Sequence, residues 1–496
     1  MTTTHDLVVL GGGAAGLTAA GVAVSLGASV ALVEADRLGG DCTWTGCVPS
    51  KALLRAAHVA HQSATAARVG LTDTPVAVDF PALMRHVRGV REGIYREADA
   101  PPVFEAIGVD VRPGRGRFVD PHTVEVTGAS GETTRVSGKR VVVVTGAQPT
   151  VPDIPGLAET PYLTSETLFE ITEQPRHLAI LGGGPIGVEM AQAFRRLGSQ
   201  VTLIARGGRI LEKDDAEPVS LLTDALAREG VAFRFGTEIA RAERDGAGVA
   251  LTLREAGSAG SPAGETRLVA DALLVAVGRS PSVDGLGLDA AGVAFSDRGI
   301  TVDARGRTTV RHIYAAGDVT GQFALTHMSE HTARIAVTNA VLRLPARIDA
   351  AHVPWATYTE PELAHVGATV AALDAAGTRY RTFRFPYGKL DRAITDGETT
   401  GLVSVHATRG GRILGASVLG ARAGDLIGEL ALAMRTGVSL RALSETVHPY
   451  PTYGLGVRRA ADQWFVQART ERLVRTLRRV LRLRGPVSGY EPGQIV

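Results

Sequence analysis

Cysteine is scarce in this chain of 496 residues, which contains two. Two cysteines exclude a disulfide-stabilised scaffold, a four-cysteine zinc site and an iron–sulfur cluster, but they can form one redox pair. The N-terminus also lacks the pattern of a signal peptide. We therefore expect a cytoplasmic protein, a setting in which a cysteine pair is more often catalytic than structural.

Long apolar runs and a strong excess of charge are also missing. No run approaches the ~20 apolar residues that cross a bilayer. The formal net charge is +2, from 53 basic and 51 acidic residues, so nucleic acid is not expected as a partner. Hydrophobic residues make up 45% of the chain, which excludes disorder as its main state, and the length predicts several domains.

Glycine, in contrast, is abundant, and two Gly-rich turns resemble each other. The first follows the apolar run Leu7–Leu10, and the second follows Leu178–Leu181. Each continues into an Ala-rich segment and a second apolar run, which predicts a βαβ unit built twice. In such a turn the glycines allow the tight bend, the close approach of a pyrophosphate and the packing of helix on strand. The candidate phosphate-binding glycines are Gly11, Gly13 and Gly16 in the first turn, and Gly182, Gly184 and Gly187 in the second.

The two units differ where their second strands end. Glu34 ends the first and suits a ribose hydroxyl, which favours FAD. Arg206, with Arg209 close by, follows the second and suits a 2′-phosphate, which favours NADPH over NADH. The alternative for each side chain is a solvated surface charge.

Both cysteines lie in one Gly-rich segment after the first βαβ unit. In a straight helix, residues five apart have Cα atoms about 8.6 Å apart, whereas a disulfide needs less than about 7 Å. A bond between Cys42 and Cys47 therefore requires a bend, which Gly46 permits. A cysteine at a helix N-terminus near Lys51 should have a lowered pKa and be a thiolate. The segment predicts a dithiol/disulfide relay.

The run Cys-x4-Cys-Val-Pro-Ser-Lys resembles the FAD-dependent pyridine-nucleotide disulfide oxidoreductases, which include glutathione reductase, dihydrolipoamide dehydrogenase and mercuric reductase. The resemblance covers about residues 5–465. It implies an α/β homodimer with two Rossmann-like dinucleotide-binding domains, for FAD and NADPH, and a C-terminal α+β dimerisation domain. The implied segments are an FAD-binding domain at 1–152 and 281–348, a nucleotide-binding domain at 153–280, a dimerisation domain at 349–465 and a basic tail at 466–496.

The resemblance also implies individual roles. Cys47 lies against the flavin as the charge-transfer thiolate, and Cys42 is the interchange thiol that attacks the substrate. Lys51 lies near the flavin and pairs with Glu189. Further motifs that match the family place Thr145, Gly146, Gly278 and Asp318 among the cofactor-binding residues.

The chain departs from the family near its C-terminus. Relatives carry His-Pro-Thr with a glutamate five residues after the histidine, and that pair acts as acid and base at the other subunit's cysteines. Here the sequence is His448-Pro449-Tyr450-Pro451-Thr452. Either His448 or Tyr450 takes the position of the histidine, and neither alignment supplies the carboxylate that orients such a base.

The acceptor therefore stays open. The motifs and the resemblance predict transfer from NADPH to FAD, to the Cys42–Cys47 pair, and then to a disulfide or a thiophilic metal ion. The alternatives are mercuric reduction without the extra C-terminal cysteine pair, activity like that of dihydrolipoamide dehydrogenase, reduction of a small oxidant or quinone, and a non-catalytic flavoprotein role in a larger assembly. No resident metal site is predicted.

The basic tail is a second departure from the family. It combines arginines with an apolar stripe and predicts a basic amphipathic helix. This helix either packs on its own dimer or makes a weak contact with an anionic membrane surface. Its residues are Arg469, Arg472, Arg475, Arg478, Arg479, Arg482 and Arg484, with Leu473, Leu477, Val480 and Leu481.

Overall fold

The computed structural model of the protein describes residues 3–255, 264–467 and 471–484. The chain forms two units, the first from residues 1–56, 77–182 and 237–349, and the second from residues 57–76, 183–236 and 350–496. The boundaries of the five segments inferred from the sequence stay predictions. Within the described ranges, no helix has both the length and the apolar character needed to cross a membrane.

Strands occur in both units. In chain order they are β1 Thr3–Leu10, β2 Val30–Glu34, β3 Val109–Pro113, β4 Arg115–Asp120, β5 Thr123–Thr127, β6 Thr133–Val143, β7 Ala147–Pro149, β8 His177–Leu181, β9 Gln200–Ile204, β10 Val231–Arg234, β11 Thr237–Asp245, β12 Gly248–Glu255, β13 Glu265–Ala270, β14 Ala272–Val275, β15 Arg279–Pro281, β16 Phe295–Ser296, β17 Gly299–Ile300, β18 Ile313–Ala315, β19 Pro354–Thr357, β20 Glu362–Gly367, β21 Arg381–Pro386, β22 Leu402–Ala407 and β23 Ile413–Gly420.

The helices are distributed among these strands along the chain. They are α1 Ala14–Ser25, α2 Gly40–Trp44, α3 Cys47–Ala64, α4 Phe80–Ile94, α5 Pro101–Glu105, α6 Pro185–Arg196, α7 Ala216–Arg228, α8 Leu288–Ala291, α9 Thr326–Leu342, α10 Val370–Ala375, α11 Asp391–Asp396, α12 Ala423–Thr436, α13 Leu440–Glu445, α14 Leu455–Gln467 and α15 Glu471–Leu481.

A sheet with a parallel centre organises the first unit. Its order is β3-β2-β1-β6-β5-β4, and β18 also pairs with β6. Leu7 and Val9 of β1 pack with α1 and α9 on one face, while Val8 and Leu10 pack into a second core on the other. Because both faces are covered, the strand is a continuous apolar run rather than an alternating one.

Both predicted βαβ patterns have the expected order of elements. In the first, β1, the Gly-rich turn, α1 and β2 follow one another, and β1 and β2 pair in parallel from Leu7 opposite Val30. In the second, β8, the turn, α6 and β9 follow one another. β8 pairs in parallel with β14 in the first unit, and β9 pairs in parallel with β10 in the second.

The C-terminal α+β part that the resemblance implies lies in the second unit. The second unit contains an antiparallel sheet in the order β19-β20-β23-β22-β21, whose buried residues pack with α12 and α14. This mixed α/β architecture, with a separate C-terminal α+β part, is the fold class expected from the sequence.

Helix α3 begins at Cys47, and helix α9 begins at Thr326. Pro49 does not delay the first of these, because the first turn of a helix has no partner for the missing N–H. These starts matter for function, since they place Cys47 and Thr326 at helix N-termini.

Candidate active site

The first Gly-rich turn is closed by contacts that only glycine allows. Gly11 has φ +108°, and a Cβ at Gly11 or Gly16 would collide with the carbonyl oxygens of Val144 and Gly11, respectively. Helix α1 then begins at Ala14 without a side-chain cap and without an acidic residue in its first turn. Its first N–H groups and positive dipole end are thus available to a phosphate.

Replacing Gly16 with alanine tests this turn, and Gly21 on the same helix provides the control. A Cβ at Gly16 has no room, whereas one at Gly21 meets nothing within 4 Å. We expect Gly16→Ala to be purified with little FAD or to be lost to misfolding. Gly21→Ala should keep its FAD and raise the free energy of unfolding by about 0.5–1 kcal/mol. Flavin absorbance per protein measures the FAD content, and thermal unfolding measures the stability. Normal FAD content in Gly16→Ala would contradict the packing described.

Glu34 lies beside this turn, where a ribose hydroxyl is expected. Its Oε2 accepts a hydrogen bond from the Gly12 N–H (2.6 Å), and its Oε1 accepts one from the Asp36 N–H (2.8 Å). These bonds fix the carboxylate at the end of β2. Each oxygen keeps acceptor capacity for a further donor.

Asp318 is the second acidic candidate of the first unit. Its Oδ1 accepts a hydrogen bond from Ser329 Oγ (3.0 Å), and burial raises the pKa of the carboxyl. Gly317 before it has φ +71°, where a side chain would be strained. Thr145 is anchored by its hydroxyl to the Ser282 carbonyl (2.8 Å), next to Gly146. With the turn and Glu34, these residues fit FAD, because they offer N–H groups for a pyrophosphate and acidic acceptors for sugar hydroxyls.

The cysteine segment bends between two helices. Cys42 lies in α2, Cys47 begins α3, and the break falls at Thr45 and Gly46. A Cβ at Gly46 would lie 2.8 Å from the Asp41 carbonyl oxygen, so only glycine fits this bend. The two cysteines are not bonded to each other in this structure, and their side chains are in hydrogen-bond contact. This is the bend that the five-residue spacing predicts.

The segment is also joined to the first Gly-rich turn. Gly13 and Gly39 form a backbone bridge, and a Cβ on Gly40 would lie 2.7 Å from the Gly13 Cα. The cysteines therefore lie on the same rigid support as the phosphate-binding turn.

Sequence reasoning missed two residues that face the cysteines. The Thr326 hydroxyl lies 3.6 Å from Cys47 Sγ and also hydrogen-bonds to Cys42, while Glu330 lies one turn further along α9. The contact with Cys47, followed by burial, raises the pKa of the Cys42 thiol.

A charged pair beside the cysteines was also missed. Asp41, which precedes Cys42, forms an ion pair with Arg279, and Arg279 also donates to the Ala147 carbonyl. Since β15 begins at Arg279 and pairs with β7, this contact ties the cysteine helix to another part of the first unit.

Lys51 and Glu189 are placed in different units. Lys51 lies on α3, with its Nζ 3.4 Å from Ser50 Oγ. Glu189 lies buried on α6, where Oε1 accepts a hydrogen bond from the Tyr358 N–H (2.9 Å). Their pairing near the flavin stays a prediction.

The second Gly-rich turn repeats the features of the first. Gly182 has φ +125°, and a Cβ there would collide with the Ala276 carbonyl. Helix α6 begins at Pro185 after Gly184, without a side-chain cap or an acidic residue in its first turn, and Gly187 is buried within it. Gly278 has φ +136°. These features fit a second pyrophosphate.

Arg206 follows β9 and is exposed. Arg209 instead donates hydrogen bonds to the backbone carbonyls of Glu212 and Asp214 (2.8 and 2.9 Å), and these bonds stabilise the local backbone. The Glu212 carboxylate lies against Gly207, so an acidic group stands close to Arg206 in the chain. Of the two arginines, Arg206 is the more exposed one.

His448 has an acidic partner that neither alignment supplies. Its Nε2 lies 2.9 Å from Oε1 of Glu429 on α12, and its Nδ1 lies 3.1 Å from the Thr446 carbonyl. The imidazole is 9% exposed. The expectation that His448 lacks an orienting acid was wrong, because the carboxylate comes from a helix upstream of it.

Tyr450, two residues further on, is 69% exposed. Its hydroxyl donates a hydrogen bond to the Asp391 carboxylate, and this contact raises the pKa of the hydroxyl. The structure separates the two candidates for the proton donor, since one is enclosed and the other is presented to solvent.

These features agree with the comparison to known protein families. Residues 5–333 match the model of the pyridine nucleotide-disulphide oxidoreductases, and residues 353–461 match the dimerisation domain of the same enzymes. The chain belongs to this family. It is an FAD-dependent oxidoreductase that uses a pyridine nucleotide, and its dimerisation domain supports a homodimer.

Individual relatives cover almost the whole chain. A mercuric reductase of Streptomyces lividans is 36% identical over 463 residues, which are 93% of this chain and 96% of that protein. A dihydrolipoamide dehydrogenase of Chaetomium thermophilum is 35% identical over 478 residues, which are 94% of this chain and 92% of that protein. Among solved structures, LpdA from Mycobacterium tuberculosis superposes with a TM-score of 0.84 at 28% identity, covering 93% of this chain and 99% of LpdA. The Cu(II) complex of the HOCl-induced flavoprotein disulfide reductase RclA from Escherichia coli superposes with a TM-score of 0.82 at 27% identity. It covers 93% of this chain and 99% of RclA.

Proposed function

We propose that this enzyme moves electrons from NADPH through FAD to the Cys42–Cys47 disulfide and on to a disulfide or a thiophilic metal ion. The observation that carries the proposal is the contact between the two cysteine side chains on a segment bridged to the first Gly-rich turn. Bound FAD would supply the hydride chemistry between nicotinamide and disulfide. A cytoplasmic location belongs to this proposal, because a reducing compartment keeps such a pair available as thiols.

The two cysteines take different roles in this proposal. Reduction breaks the Cys42–Cys47 bond and adds two electrons and one proton, which leaves one thiolate and one thiol. Cys47 is the thiolate, since the helix N-terminus of α3 and the cation of Lys51 favour negative charge there. Cys42 holds the proton, as its raised pKa indicates, and releases it when its sulfur attacks the acceptor.

We assign the proton donor to Tyr450 of the partner subunit rather than to His448. Both ring nitrogens of His448 are engaged within its own unit, by Glu429 and by the Thr446 carbonyl. The Tyr450 hydroxyl is exposed and has one hydrogen-bond partner, Asp391, which it would exchange for the thiolate that leaves the acceptor. In this assignment the His448–Glu429 pair holds the segment that presents Tyr450.

For the nucleotide, we propose NADPH and test it at Arg206. Arg206→Ser should raise KM for NADPH about tenfold or more and leave KM for NADH within a factor of two, because only NADPH carries the 2′-phosphate. Arg228→Ser, which removes another exposed arginine on α7, is the matched control. Steady-state kinetics with both nucleotides give the answer, and equal changes for NADPH and NADH would contradict the assignment.

A panel of acceptors under NADPH tests the substrate class. It contains glutathione disulfide, lipoamide, mercuric ion, cupric ion and a quinone. Mercuric ion is the second candidate, because the chain is 36% identical to a mercuric reductase and its two contacting thiols suit a soft cation. Rapid turnover of one member identifies the class, while slow NADPH oxidation with every member, together with a stable partner complex, favours the non-catalytic role.

A further inference from the structure

We propose that helix α15 binds the surface of an anionic lipid bilayer and attaches the enzyme peripherally to a membrane. The helix lies beyond residue 461, where the match to the dimerisation domain ends. Neither the relay nor the dimerisation domain accounts for it.

The apolar side chains near the end of α15 form one exposed stripe. Leu477, Val480 and Leu481 lie three and four positions apart and so share a helix face. They are 44%, 70% and 59% exposed, and Leu483 just after the helix is 55% exposed. Apolar side chains gathered on one face at such exposure are typical of a surface that meets an apolar phase or a partner.

The charges of this segment select the kind of surface. Residues 471–484 contain six arginines and one glutamate. Arg479, Arg482 and Arg484 are exposed, and the helix spacing places Arg479 on the side opposite Val480 and Leu481. A basic face opposite an apolar stripe fits a helix lying in the headgroup region of an anionic bilayer, with leucine and valine in the acyl boundary. Nucleic acid would use the arginines but leave the apolar stripe without a function.

The length of the helix fixes how it lies. Eleven residues span about 16 Å, roughly half of the hydrocarbon thickness of a bilayer. The helix therefore lies along the interface instead of crossing the membrane. The described residues 476–484 carry this proposal, and the predicted tail residues 468–470 and 485–496 lie outside the described part of the chain.

The test is flotation of the purified full-length enzyme with vesicles of phosphatidylcholine, either pure or mixed equally with phosphatidylglycerol. We expect binding to the mixed vesicles and release in about 1 M NaCl, where the Debye length is about 3 Å. Arg479→Ser with Arg482→Ser, and separately Val480→Ser with Leu481→Ser, should each lower the bound fraction about tenfold or more. Arg379→Ser with Arg381→Ser removes two exposed charges elsewhere in the second unit and should leave binding within a factor of two.

Three outcomes would overturn the proposal. In the first, the native protein and the Val480→Ser/Leu481→Ser variant float with the vesicles to the same extent, or neither of them floats. Another is conversion of the dimer to monomers by Val480→Ser/Leu481→Ser in sedimentation, which would mean that a second copy covers the stripe. The third is binding to a DNA duplex that depends on Arg479 and Arg482 but not on Val480 and Leu481. Flavin content and NADPH oxidation in solution, unchanged in every variant, confirm that the proteins are folded.

Discussion

Replacing Cys42 with serine lowers acceptor reduction by roughly a thousandfold or more, while a single NADPH-driven reduction of the bound flavin proceeds at the native rate. The physical reason is that a serine hydroxyl has neither the acidity nor the nucleophilicity of the Cys42 thiol. Cys42 also contacts Cys47 directly, so its loss leaves no second sulfur for a disulfide. Stopped-flow kinetics separate the two half-reactions.

Thr45→Ser, between the two cysteines, is a matched control for the packing of this segment and should keep native turnover. Cys47→Ser should behave differently from Cys42→Ser, because it removes the thiolate at the N-terminus of α3 and with it any thiolate–flavin absorbance. A Cys42→Ser enzyme that still reduced its acceptor at the native rate would exclude the relay.

Replacing Tyr450 with phenylalanine lowers the rate of the acceptor half-reaction about a hundredfold and leaves reduction by NADPH unchanged. The variant keeps the ring but loses the hydroxyl, which is the proton donor in this assignment. Tyr453→Phe is the matched control, since its hydroxyl bonds to Asp396 on its own chain.

His448→Gln distinguishes the two candidates for the proton donor. With His448 in a positioning role, we expect the rate of the acceptor half-reaction to fall about threefold to tenfold. Glu429→Gln should give the same loss, because both variants remove the same 2.9 Å contact. For the same reason the double variant should be no slower than either single variant. If His448→Gln loses as much as Tyr450→Phe and Glu429→Gln does not, His448 is the donor and the assignment to Tyr450 is wrong.

The elements that could be predicted from the sequence are those determined locally. The apolar run of β1 and the glycines after it define a strand and a phosphate-binding turn through patterns within a few residues, and the structure contains both. The bend between Cys42 and Cys47 also follows from local geometry, because five residues of straight helix are too long for a disulfide.

The contacts that escaped prediction join residues far apart in sequence. Thr326 lies 279 positions from Cys47, Arg279 lies 238 positions from Asp41, and Glu429 stands 19 positions before His448. No periodicity or motif encodes such pairs, since they depend on how sheets and helices stack. The search for a carboxylate five residues after His448 failed for the same reason.

The measurement that tests the central claim most directly is an anaerobic titration of the enzyme with NADPH, followed by absorbance and by alkylation of the thiols. The account predicts a long-wavelength absorbance band after two electrons, together with new alkylation of both Cys42 and Cys47. Loss of flavin absorbance after two electrons without that band, and with both cysteines still resistant to alkylation, would contradict the relay.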